Sequence, residues 1–290
     1  MKLLALLILL ALRRVEWQHD PERWRRVVDR LLLAPWPLAA ALAGSAAGRL
    51  LVLVLLWAAV GFVVRFGLDD FLLSLPLLAL YVALLWALVG RDRLGADLNE
   101  YLRLWFLHDA PALRRFAGMR FALTLPVDVS PGALHRAVLR ALFVRAFRES
   151  FIWIIVFAFT GLPGLLVLAA IEAVRRAQGA DAVRLDALLP QVAAETRARV
   201  DWLAVRLLGA TLLLTGNSSR AWPVLDNRVL DEDDPAEDLA ADLCVAAAGL
   251  PLQPADEPDV GLDVTDARGL LLRTQVVWIL LMALSVIVGF

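Results

Sequence analysis

The chain has 290 residues, 60% of them hydrophobic, with a mean hydropathy of +0.69 and a formal net charge of −1. This composition excludes an ordinary soluble domain or a secreted enzyme and points to an all-α integral membrane protein, and the near-zero charge gives no electrostatic footprint for nucleic acid. A single cysteine, Cys244, excludes an internal disulfide, and His19, His108 and His135 lack the spacing of a histidine metal site, so neither a metal nor a cofactor is expected.

Met1 to Leu12 is apolar like a signal peptide, but Arg13-Arg14-Val15 stands where a small-residue cleavage site would be, which predicts a retained hydrophobic helix. Leu50–Val64 and Phe71–Gly90 are uncharged and predict a membrane hairpin, joined by the short link from Arg65 to Asp70 with Gly67 in the turn. Arginine crowds the stretches Arg13–Arg30 and Arg91–Arg148, whereas the link carries Asp69 and Asp70. Arginine-rich loops stay inside, so both arginine-rich stretches are expected in the cytoplasm and the link outside.

Between Arg91 and Glu149 the periodicity predicts amphipathic helices, with Leu98, Tyr101, Leu102 and Trp105 on one stripe and Asp97, Asn99, Glu100 and Arg103 away from it. Ser130-Pro131-Gly132 supplies an N-cap followed by proline at the first helical position, starting a helix that runs through Arg148. Of its arginines, Arg136 and Arg140 read as snorkelling to lipid headgroups; Arg145 and Arg148 fit either that role or a site.

Phe151–Ile171 is long enough to cross a bilayer, yet Gly161-Leu162-Pro163-Gly164 breaks it halfway. Two readings stay open: a re-entrant hairpin that lines a site, or a kinked ordinary span. Ala193–Thr215 predicts one further helix, in which Asp201 and Arg206 lie five apart, so each needs a partner elsewhere. From Asp226 to Asp266 the chain is acidic around Asp231–Asp234 and proline-bearing, which reads as a solvated, partly disordered linker without calcium-loop spacing. Thr274–Phe290 predicts a terminal span with Arg268 and Arg273 before it.

The organisation expected is thus an N-terminal helix and arginine-rich arm (1–48), a membrane hairpin (49–90), a cytoplasmic helical region (91–150), the broken segment with its following helix (151–219), an acidic loop (220–270) and a terminal membrane helix (271–290). That makes about four to five membrane helices, one of them broken or re-entrant, with cytoplasmic amphipathic helices. The sequence has no phosphate-binding loop, dinucleotide fingerprint, nucleophile elbow or H-E-x-x-H, and no catalytic residue is assigned.

Two stretches carry a resemblance: Ala141-Leu142-Phe143 with Phe147-Arg148 leading into the aromatic run, and Val200-Asp201-Trp202-Leu203-Ala204-Val205-Arg206-Leu207. With Glu100-Tyr101-Leu102 and the order of the apolar segments, the chain resembles the AmpE family, inner-membrane proteins that accompany the AmpD amidase in β-lactamase induction. That family is similar in turn to the CobD/CbiB family of membrane-bound adenosylcobinamide-phosphate synthases, with Arg206-Leu207 as the shared element. The synthase pattern is rich in carboxylates and amides just before the broken segment, whereas Val144, Arg145 and Arg148 stand there in this chain. Arginines suit phosphate or carboxylate rather than metal.

The resemblance implies an accessory or signalling role in β-lactamase induction and peptidoglycan recycling, in a multi-pass protein of the bacterial inner membrane; a membrane enzyme related to the synthase is the alternative. Partners expected are the lipid bilayer and an anionic cell-wall metabolite or a protein of the AmpD pathway. The candidate ligand site comprises Arg145, Arg148, Glu149, Asp201, Trp202 and Arg206 beside the break at Gly161, Pro163 and Gly164. In this reading Arg148, Asp201 and Arg206 form one coupled cluster that accepts an anion, or Asp201 neutralises an arginine to anchor two helices.

Overall fold

A computed structural model describes residues 2–13, 21–69, 75–89, 94–124, 126, 129–177, 187–231, 234–253 and 257–288. Every regular element among them is helical: α1 (Lys2–Arg13), α2 (Pro21–Leu33), α3 (Trp36–Leu42), α4 (Ala46–Asp69), α5 (Leu75–Leu88), α6 (Leu94–Phe106), α7 (Ala110–Phe121), α8 (Pro131–Ala146), a π-helical turn (Phe147–Phe151), α9 (Ile152–Arg176), α10 (Leu189–Thr215), α11 (Ser218–Arg228), α12 (Ala236–Ala247) and α13 (Val260–Val288). Asp70 of the expected hairpin link and the acidic pair Glu232 and Asp233 lie outside the described residues.

Among the described residues, three stretches are long and apolar enough to cross a membrane: Ala46–Leu68, Pro131–Arg176 and Val260–Leu284. α5 is apolar but has 14 residues. At 1.5 Å per residue its described part reaches about 21 Å. A count of four to five membrane helices would have to include α5 and α1.

The chain forms two compact bodies. The first takes Met1–Arg91, Ile152–Asp201 and Leu281–Phe290. Here α1 buries Ala5, Leu6 and Leu9 and packs on α5, while α4 packs along α9. Tyr81 of α5 is buried and meets the edge of Phe157 with ring centroids 5.1 Å apart. The expected break in α9 is a single non-helical residue: Gly161 has φ 66° and ψ −143°, backbone angles open essentially to glycine alone. The helix then resumes with Pro163 in its first turn, where a missing N–H costs least, and continues to Arg176.

One expectation in this body is corrected. The stretch from Arg65 to Asp69, assigned to the hairpin link, is the last turn of α4. Gly67 meets open space and is tolerated inside the helix at about 1 kcal/mol relative to alanine.

The second body takes Asp92–Phe151 and Trp202–Leu280. α7 packs on α6 and α8, and α12 packs on α8 and α11. Here the solvated acidic linker is corrected: α12 occupies its middle and buries Leu239, Ala240, Leu243, Cys244 and Ala247. Its apolar residues fall on a helical period, and Glu237 and Asp238 sit in the first turn, where carboxylates favour the helix dipole. α13 likewise begins at Val260, fourteen residues before the expected Thr274. Burial pushes the Cys244 thiol up to about 12.

Candidate functional site

α8 starts as its sequence dictates, with Ser130 Oγ accepting from the Ala133 N–H at 3.2 Å and Pro131 at the first helical position. It ends in a π-helical turn, Phe147–Phe151, which no residue pattern announces. Such turns insert an extra residue into a helix and concentrate at functional sites. Phe147, Ser150 and Phe151 point inward, so Arg148 and Glu149 project from the turn.

The arginines of α8 meet carboxylates. Arg145 donates to Asp97 Oδ2 at 2.8 Å and to Glu149 Oε1 at 3.1 Å, and Arg120 reaches the other oxygen of Asp97 at 3.1 Å. Asp97 was expected on the polar face of α6 but is 3% exposed, because it is the acceptor shared by these two guanidiniums. Arg148, its side chain 50% exposed, pairs with Glu237. Arg140 pairs with Asp242 and, at 3.1 Å, with Asp238, while Arg228 joins Asp242 to Asp234. Arg140 is therefore held by α12, and Arg136 is buried with a hydrogen bond of 3.0 Å to the Gln253 carbonyl. This corrects the snorkelling reading of both: the acidic segment, once folded as a helix, supplies Arg140 with the counter-charges that lipid phosphates were expected to provide, and Arg136 is held by a backbone carbonyl beyond that helix.

Asp201 and Arg206 do find their partners elsewhere, as their spacing implies. In the first body Arg197 donates to Asp201 at 2.7 Å and also pairs with Glu172, all three side chains being nearly inaccessible. Glu172 in addition accepts from Arg175 at 3.1 Å. In the second body the Arg206 guanidinium lies 3.8 Å above the Trp202 ring and donates to the carbonyls of Trp202, Arg228, Val229 and Asp231 at 2.5 to 3.2 Å. Trp202 Nε1 donates to the Asp231 carbonyl at 3.2 Å. Arg206 is thereby a cap on the C-terminus of α11, where carbonyls lack helical partners and a cation suits the dipole. The described partners of Arg148, Asp201 and Arg206 thus differ from one another.

A second polar cluster was not anticipated. His135 Nδ1 lies 2.9 Å from the Tyr101 hydroxyl and its Nε2 lies 3.1 Å from Asp263 Oδ2. Burial and the nearby Asp263 push the Tyr101 phenol up, so it keeps its proton and can donate to Nδ1, leaving Nε2–H to donate to the carboxylate. Tyr101 stacks on the imidazole, with Trp105 tilted against it. Beside this cluster is a cleft of about 20 Å³ lined by Gly132, Arg136, Pro251, Gln253 and Asp263, large enough for a water. Arg136 Nε is buried there with no hydrogen-bond partner among the described residues. His135 and Asp263 are 128 residues apart, so no local spacing could have joined them.

A family model described as regulatory signalling modulator protein AmpE matches residues 1–238. No curated relative and no solved structure matches the chain.

Proposed function

Since the chain belongs to the AmpE family of regulatory signalling modulators, we propose that it acts as an inner-membrane, multi-pass accessory protein in β-lactamase induction and peptidoglycan recycling. The observation that carries the reading is the family match over residues 1–238, together with three helices among the described residues that are long and apolar enough to span a bilayer. The comparisons lend no support to a synthase-like enzyme.

The same reading includes an anionic ligand, a phosphate or the carboxylate of a cell-wall metabolite, bound at the cytoplasmic end of α8 with Arg145, Arg148 and Glu149, and with Trp202 and Arg206 contributed from α10; Asp201, paired with Arg197 in the first body, is left out of it. What supports the first group is Arg148, half exposed on the π-helical turn and paired with Glu237 in the first turn of α12. A ligand carboxylate or phosphate can take the bidentate face of that guanidinium in place of Glu237. The exchange frees the N-terminus of α12, converting ligand binding into a shift of a helix that also holds Arg140 through Asp242.

Deleting the gene and measuring β-lactamase expression with and without a β-lactam inducer tests the role. Induction is expected to change in the deletion and to be restored by the wild-type chain, while growth needs no added cobalamin. Unaltered induction and unaltered muropeptide turnover would overturn the reading. Arg148→Gln at wild-type membrane abundance is expected to fail to restore induction; full restoration would remove the anion from the proposal.

A further inference from the structure

The surface of α2 is divided lengthwise. Its inner strip packs on α9 and α5: Leu32 is 2% exposed, Arg25 donates to the Leu88 carbonyl at 3.1 Å, and Asp29 pairs with Arg176 at 3.4 Å. The outer strip is Trp24, Val27 and Leu31, spaced three and four apart and 49%, 43% and 61% exposed. Arg26 and Arg30, both exposed, lie about 110° round the helix from that strip at 100° per residue. The helix therefore carries an apolar strip and a basic strip side by side on its open half.

The last turn of α2 is tied to α4, where Trp57 Nε1 donates to the Leu32 carbonyl at 2.9 Å. On α3, which packs on α4, Leu38 and Leu42 are 50% and 66% exposed, and α4 begins its outward face with Leu51 and Leu55, each 58% exposed. α4 is a candidate membrane span, so α2 is fastened beside a helix long and apolar enough to cross a bilayer. Tryptophan beside an aliphatic strip, with arginine on the flank, suits the boundary between headgroups and acyl chains. The described exposed charges of α2 are both arginines, complementary to an anionic surface rather than to the mixed-charge rim of a protein partner.

We propose that α2 is an interfacial helix that binds anionic lipid, with Trp24, Val27 and Leu31 seated at the acyl boundary and Arg26 and Arg30 on the lipid phosphates. The inference rests on α4 being a membrane helix and is independent of any role in β-lactamase induction, so the two fail separately.

The test uses the full chain carrying Val27→Cys, or Leu31→Cys if the first folds poorly, spin-labelled in nanodiscs of phosphatidylcholine with or without phosphatidylglycerol. The buried Cys244 leaves the label at the introduced position. The label is expected to collide with oxygen and to be shielded from a soluble nickel chelate, more so with phosphatidylglycerol. Retention of phosphatidylglycerol is expected to fall roughly fivefold for each of Arg26→Gln and Arg30→Gln, the equivalent of about 1 kcal/mol per basic residue at an anionic surface, and to survive the lysine variants. A label open to the chelate in both discs overturns the interfacial helix. Shielding that ignores both phosphatidylglycerol and the arginines overturns the anionic-lipid assignment, and label–label broadening overturns it in favour of a second copy on the strip.

Discussion

Gly61 on α4 and Pro163 on α9 meet backbone to backbone: a Cβ added to Gly61 would lie 2.6 Å from Pro163 Cα. Helices approach this closely where a side chain is only hydrogen, and here the facing chain also bends, two residues earlier, at Gly161 with φ 66°. The glycine break is thus part of how α4 and α9 pack in the first body, whichever way α9 lies in the bilayer. Gly61→Leu is expected to cost about 1 to 3 kcal/mol through overpacking, and Gly161→Ala about 1 to 3 kcal/mol through backbone strain. Thermal unfolding in detergent checks both; wild-type melting for Gly61→Leu would mean that the two helices can move apart.

Elements governed by local chemistry were legible in the sequence. The Ser130 cap, the apolar run of α4 and the glycine in the middle of α9 each declare themselves within a few residues, and the structure has a helix start, a candidate span and a kink at those places. Elements decided by distant partners were not. Asp97 reads as a surface carboxylate until Arg145, 48 residues away, is placed against it. The stretch around Asp238 and Asp242 reads as a linker because its charge is counted before its period, although those acids answer Arg140 of α8. The π-helical turn at Phe147–Phe151 left no mark in the residue pattern.

Arg206 holds four carbonyls and stacks on Trp202. A lysine keeps the charge, but its single ammonium cannot reproduce the planar fork or the stacking. Arg206→Lys is therefore expected to destabilise the fold by about 0.5 to 1.5 kcal/mol, the net worth of the half-buried hydrogen bonds it gives up. Chemical denaturation of the purified chain reads this directly. An unshifted midpoint would show that the α11 terminus needs no cap, and would return Arg206 to the ligand site as its main duty.

Arg197 joins Glu172 of α9 to Asp201 of α10 inside the first body. Removing it takes from Asp201 its buried partner at 2.7 Å, whereas Glu172 keeps Arg175 at 3.1 Å and Arg176 at 3.5 Å. Arg197→Met is accordingly expected to cost about 3 to 5 kcal/mol, as for a buried pair broken from one side. Asp201→Asn should cost less, about 1 to 2 kcal/mol, because Arg197 retains Glu172 and the amide can still accept. Equal losses in the two variants would mean that the anchor is the Arg197–Asp201 pair alone, without a contribution from Glu172.

The side of the membrane on which the second half of the chain lies can be read chemically. Arginines flank Phe151–Ile171 before and after, at Arg145 and Arg148 and at Arg175 and Arg176, which predicts that both ends face the cytoplasm. Cys244 cannot report this, since its thiol is buried and held protonated by its surroundings. Leu230, just beyond α11, is 83% exposed and offers a cysteine position on the stretch between the kinked segment and α13. An impermeant maleimide is expected to leave Leu230→Cys unlabelled in intact spheroplasts and to label it fully once the membrane is opened. Ready labelling of the intact cells would mean that the kinked segment crosses, putting the ion-paired face of α12 outside the cytoplasm and removing any cytoplasmic ligand from Arg148.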